Sequence, residues 1–241
     1  MKKNEWRGFV RLDFEFEGTE AILVIPDAPN ENKNWLLKTE YFDAFQDFEY
    51  DMVSKGWHLA FLKNVTRWCL DSDLDKKKRF CEYLSKEFGL YEKCIPVGMS
   101  CGGLIASKFA ARHPECVSAL YLDAPVLNLL SCPAAVGRTD QHNLMDEFVS
   151  HTGMTLSELL SYREHPIDKM NILLENDIPV FIVYGDSDTV VPYHENGLIL
   201  ERYYKANGGK IYTVGKPGCA HHPHGLEDRT SLMEFCEKYS K

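Results

Sequence analysis

The chain has 241 residues, 44% hydrophobic, 26% charged and 12% aromatic, a balance ordinary for one globular domain with a single core. Its formal net charge of -9 argues against a nucleic-acid partner, because phosphate binding needs clustered Lys and Arg. The single basic run, Lys76-Lys77-Lys78-Arg79, follows Asp71, Asp73 and Asp75 and reads as the solvated face of a helix.

No apolar stretch reaches the ~20 residues of a membrane span, so no membrane partner is expected. The charged start Met1-Lys2-Lys3-Asn4-Glu5 is not followed by the apolar segment of a signal peptide. The eight cysteines contain no C-x-x-C pair, which suits buried free thiols in a cytoplasmic protein better than a disulfide framework.

Along the chain, Val10, Leu12, Phe14 and Phe16 alternate with Arg11, Asp13 and Glu15, the period of a half-buried strand. Gly18-Thr19 turns into the apolar run 21–25, so the sheet is expected to open antiparallel. Residues 57–62 read as a buried strand. Residues 73–88 place Leu74, Cys81, Leu84 and Phe88 on one helical face and stop at Gly89. Strands are predicted over 95–97, 117–122, 180–184 and 211–214, and helices over 104–112, 195–205 and 228–239. Strands alternating with helices predict a mostly parallel sheet covered on both faces. Residues 126–171 exceed what a crossover needs and hold two helix-like pieces, at 143–151 and 155–163. They are expected to form a small cap over the carboxyl edge of the sheet, the alternative being an ordinary crossover helix with long flanks.

The strand at 95–97 runs directly into Gly98-Met99-Ser100-Cys101-Gly102, and an Ala-rich helix follows. A serine at the tip of a sharp strand-to-helix turn needs small neighbours two positions to either side, and both are glycine here. The free N–H groups of the helix start face the serine, so the Cys101 amide is a candidate oxyanion donor. Serine is a weak nucleophile and requires a base that is itself oriented by a third group. Both residue types follow later strands in the expected order: Gly185-Asp186-Ser187-Asp188 after the strand at 180–184, and Cys219-Ala220-His221-His222-Pro223-His224 after the last strand.

From residue 9 to its end the sequence resembles the α/β-hydrolase superfamily, near small bacterial carboxylesterases and other acyl hydrolases. The features carrying the resemblance are G-x-S-x-G, G-D-x-D-x-x-V-P and the His loop. It implies the α/β-hydrolase fold as one domain over residues 1–241, with Ser100 as nucleophile and His221 as base. Asp188 is the implied acid, in preference to Asp186, which more often braces the turn. Met99 and His222 are the candidate substrate contacts. No cofactor is implied. A metal held by the run His221-His222-Pro223-His224 with Cys219 is the lesser reading, because adjacent histidines tend to point apart and no second ligand cluster accompanies them. The family's His-Gly oxyanion loop is missing, and the second oxyanion donor is expected near Asn34 or Trp35, after the strand ending at Ile25.

The expected activity is cleavage of a small carboxylic ester through an acyl-enzyme; the resemblance also suggests sugar-ester deacylation. Peptidase, amidase or lactone hydrolysis on the same triad is the alternative within the chemistry. A catalytically silent hydrolase-fold binding protein is the alternative outside it.

Overall fold

A computed structural model describes residues 1–240. The chain opens with two tight hairpins joining β1 (Lys2–Trp6), β2 (Phe9–Phe16) and β3 (Thr19–Ile25). Each turn is two residues long with positive φ at both: Arg7 (51°) and Gly8 (96°), then Glu17 (48°) and Gly18 (72°). Such turns match the twist of the flanking strands. The remaining strands are β4 (Trp35–Lys38), β5 (His58–Leu62), β6 (Ile95–Met99), β7 (Leu120–Asp123), β8 (Val180–Gly185) and β9 (Ile211–Lys216). Together they form a nine-stranded sheet in the order β1-β2-β3-β5-β4-β6-β7-β8-β9, antiparallel through β5 and parallel beyond it.

Helices cover both faces. Alternate residues of β3 separate the two cores: Ala21 and Leu23 face one, Ile22 and Val24 the other. The first core is closed by α2 (Asp71–Phe88), α3 (Cys101–Arg112), α6 (Met170–Glu175) and α7 (Gly197–Ala206). The second is closed by α1 (Asp47–Ser54) and α8 (Thr230–Tyr239). All eight cysteines are free thiols, and seven are buried. Among the described residues no helix is long and apolar enough to cross a membrane.

Several elements depart from the sequence-based expectation, β1, α1 and β4 among them. Strand β1 pairs a polar, exposed edge that leaves no hydrophobic alternation to read. Helix α1 is short and lies in a stretch without a helix-start signal. Strand β4 consists of Trp35-Leu36-Leu37-Lys38, buried throughout and too short for any period to show. It lies between β5 and β6, so it, and not β3, is the strand beside β6, which leads into Ser100. The connection from β7 to β8 carries α4 (Met145–Thr152) and α5 (Leu156–Ser161) ahead of α6. Thr155 caps α5 with a capping box to Glu158.

Candidate active site

The turn from β6 into α3 is tight because backbone meets backbone. A methyl group on Gly98 would sit 2.5 Å from the Gly102 carbonyl oxygen, and one on Gly103 would sit 2.4 Å from Pro125 Cβ. Ser100, between them, has φ 53° and ψ -120°, a conformation that costs an L-residue of order 1–3 kcal/mol. Its N–H donates to the Asp123 carbonyl at 3.0 Å, and its carbonyl accepts from Gly103 (2.9 Å) and Val126 (3.0 Å). The strained turn is thereby pinned to the exit of β7.

The ends of β8 and β9 bring two further groups to that turn. His221 Nε2 lies 3.0 Å from Ser100 Oγ, and His221 Nδ1 lies 2.8 Å from Asp188 Oδ2. The other oxygen of Asp188 accepts the N–H groups of Val190 and Val191, both at 2.9 Å, which fixes the carboxylate's orientation. Asp186 faces away from this relay: its Oδ1 accepts the Gly218 N–H at 2.7 Å and the Ser187 hydroxyl at 2.9 Å. A side chain on Gly185 would strike the Cys219 and Ala220 carbonyl oxygens at 2.3 Å, so the strand end lies flush against the histidine loop. Asp188 and His221 are both buried.

A second carboxylate–imidazole pair sits beside the first, and the sequence reading missed it. His224 Nδ1 lies 2.7 Å from Asp123 Oδ1, and both groups are buried. Asp123 Oδ2 accepts the Gly225 N–H at 2.6 Å and the Tyr121 hydroxyl at 3.2 Å. The expectation that His222 points away from its neighbours is corrected here. The His221, His222 and His224 rings pack in mutual contact, with centroids 4.8–4.9 Å apart. Phe45 stacks on His222 at 5.6 Å and meets His224 edge-on at 5.2 Å. Partial burial, and then the charge of the neighbouring His224 and His221 imidazoles, lowers the His222 pKa below the ordinary imidazole value. A readable signal for this pair was Asp123 itself, an acid at the carboxyl end of β7, the strand next to β6.

Trp35 is not at the site. It begins β4, at the opposite edge of the sheet from Ser100, and its indole N–H donates to the Tyr91 carbonyl at 2.8 Å in the core. Asn34 lies one residue further back and bonds Ser240 at 3.2 Å. The loop that does reach the serine leaves the carboxyl end of β4: Thr39 Oγ1 donates to the Gly102 carbonyl at 2.7 Å, and Tyr41, Ala44 and Phe45 line the cavity at Ser100. The misplacement follows directly from the unread strand.

That cavity has a volume of about 340 Å³. Its walls are mostly apolar, with Met99, Cys132, Leu144 and Val191 among them, and both Met99 and His222 face it. Cys101 is buried against it, and burial raises its thiol pKa to about 11, leaving it a neutral thiol. Among the described residues, Arg67 is the one cationic side chain other than histidine in the lining. Its Nε donates to Glu147 Oε1 at 2.8 Å, and its Nη2 pairs with the other carboxylate oxygen. This bidentate pair holds the Glu147 carboxyl below its usual range and ties α4 to the body beside the cavity. A hollow of similar volume, about 320 Å³, lies between Lys108, Tyr162 and Lys169 and contains none of these groups.

No protein-family model and no curated protein sequence matches the chain. Solved structures do. The acylaminoacyl peptidase of Pyrococcus horikoshii superposes with a TM-score of 0.70 at 16% identity, over 95% of this chain and 41% of that one. Dipeptidyl peptidase 4 of Porphyromonas gingivalis gives 0.70 at 15% identity, over 96% and 35%. A puromycin-hydrolyzing peptidase of Mycobacterium tuberculosis gives 0.70 at 13% identity, over 95% and 38%. The chain therefore spans about two fifths or less of the length of these neighbours. The fold is the α/β-hydrolase fold, as its resemblance to that superfamily implied.

Proposed function

We propose that the chain is a serine hydrolase that cleaves a small acyl substrate through an acyl-enzyme. The observation that carries this reading is the unbroken relay from Ser100 Oγ through His221 to Asp188, at 3.0 and 2.8 Å, opening on a cavity. In this mechanism Ser100 attacks the acyl carbon while His221 Nε2 takes its proton. Asp188 holds the Nδ1–H tautomer and stabilises the imidazolium that forms. His221 then protonates the leaving group, and water repeats the sequence to free the acid.

The oxyanion requires donors aimed at the tetrahedral oxygen. One is the Cys101 N–H, a first-turn amide of α3 with no intrahelical acceptor. We assign the second to the backbone N–H of Tyr41, which lines the cavity from the loop after β4. Residues 126–171 serve as the cap of a single domain, with Gln141 and Leu144 roofing the cavity. Substrate contacts fall to Met99 and His222.

Ester cleavage is the reading from the carboxylesterase-like sequence motifs. Amide cleavage is favoured by the structural neighbours, whose names are those of peptidases. The two share every step except expulsion of the leaving group, so one triad serves either.

The test is covalent labelling with a fluorophosphonate probe, followed by turnover of a matched p-nitrophenyl ester and p-nitroanilide. Label on Ser100 is expected, and Ser100→Ala should lower kcat by roughly four to six orders of magnitude with the fold intact. Near wild-type turnover in that variant would remove Ser100 from the mechanism.

A further inference from the structure

We propose that His221, His222 and His224 form a binding site for a borderline divalent transition-metal ion such as Zn²⁺, and that occupancy of this site switches the hydrolase off. One ligand nitrogen from each of the three residues lies within 4.8 Å of the other two. Around tetrahedral zinc, bonds of ~2.0–2.1 Å put neighbouring ligand atoms about 3.4 Å apart. The imidazoles therefore need to close by little more than an ångström. His222 can supply most of that movement, since its ring is exposed and makes no hydrogen bond among the described residues.

An independent observation is what stands behind the ligands. Metal-binding histidines almost always donate their second ring N–H to a carboxylate or carbonyl, which fixes the tautomer and makes the ligating nitrogen more basic. Two of these three are already arranged so, His221 against Asp188 at 2.8 Å and His224 against Asp123 at 2.7 Å. Each carboxylate is held by backbone N–H groups in turn, Asp188 by Val190 and Val191, Asp123 by Gly225. Both Nε2 lone pairs are thus directed toward the cavity side. That of His224 has no protein partner among the described residues, and that of His221 meets only Ser100 Oγ. The buried-exposed-buried pattern of the three residues leaves an entry path for an ion from solvent. An all-imidazole set selects Zn²⁺, Co²⁺, Ni²⁺ or Cu²⁺ over Mg²⁺ and Ca²⁺, which prefer oxygen.

Coordination uses the His221 Nε2 lone pair and releases no proton from that ring, because the proton stays on Nδ1, donated to Asp188. Ser100 then has no base, and acylation stops. Binding of the ion is independent of the proposed reaction; the inhibition rests on it.

The test uses the full chain, free of any oligohistidine tag and metal-stripped. Co²⁺ is titrated by visible absorption and Zn²⁺ by calorimetry, in wild type, Ser100→Ala, His222→Ala and Asp123→Asn. One equivalent is expected to bind in wild type and Ser100→Ala with tetrahedral Co²⁺ absorption. His222→Ala and Asp123→Asn should each weaken binding by at least about tenfold. Stoichiometric Zn²⁺ should block fluorophosphonate labelling of wild type, and the same block in His222→Ala and Asp123→Asn, each measured against its own ion-free labelling, should need at least about tenfold more ion. Equal affinities in wild type and both ligand-shell variants would overturn the site. Metal binding without any labelling of the ion-free protein would overturn the serine mechanism and leave the site standing. Labelling unaffected by bound Zn²⁺ would overturn the switch.

Discussion

Two carboxylate–imidazole pairs lie side by side on the last loop, and they differ in one respect that matters. His221–Asp188 and His224–Asp123 are alike in length, burial and the use of Nδ1 toward an acid at or beyond the carboxyl end of a parallel strand. Beyond His221 Nε2 stands the Ser100 hydroxyl; beyond His224 Nε2 stands no protein group among the described residues. A dyad is therefore not a base until a nucleophile completes it. Without one, the same geometry is a strut for the loop or half of a metal site.

The sharpest way to break this comparison is to replace each imidazole in turn. His221→Asn should lower kcat/KM about as far as Ser100→Ala, since members of one relay fail together. His224→Asn should cost less than the roughly hundredfold at which general acid–base catalysis begins. Equal losses in steady-state assays of the two variants would make His224 a second proton carrier.

The acids give a smaller contrast. Asp188→Asn should cost roughly four orders of magnitude in kcat by imposing the wrong tautomer on His221. Asp123→Asn should lose less than about a hundredfold in kcat. It should also destabilise the fold by about 1–3 kcal/mol in urea denaturation, because the Tyr121, His224 and Gly225 donors lose a carboxylate acceptor.

Both comparisons are cleanest above pH 6.5, for a reason remote from the site. Burial pushes the His58 pKa down from 6.5 to about 4, and its Nδ1 has no hydrogen-bond partner among the described residues. The unfolded chain takes up this proton as pH falls through 6.5, whereas the folded chain resists until about 4. Stability contributed by neutral His58 is thus present above pH 6.5 and lost progressively between 6.5 and 4, by up to about 3 kcal/mol. His165 is displaced in the same direction by burial. Urea midpoints across that range should fall with pH, and His58→Gln should flatten the slope. An unchanged slope would assign the acid sensitivity elsewhere.

What was legible in the sequence was whatever is encoded over a short stretch. The turn at Ser100 shows because the strand, the glycines and the helix that force it occupy adjacent positions, and the close approach of Gly98 to Gly102 is a local constraint. The hairpin between β2 and β3 shows through its glycine turn, and Asp188 and His221 through their places after strands 180–184 and 211–214. What only the tertiary structure decided depends on contacts between distant segments. Strand β4 is four residues with no readable period, and only its pairing with β5 and β6 reveals it; the loop proposed to hold the oxyanion was misplaced with it. The pairs Asp123–His224 and Arg67–Glu147 join residues 101 and 80 positions apart, so no spacing rule connects them. The three imidazoles of the last loop meet because their partners on β7 and beyond β8 hold two of them there, and neighbouring sequence alone carries no such instruction.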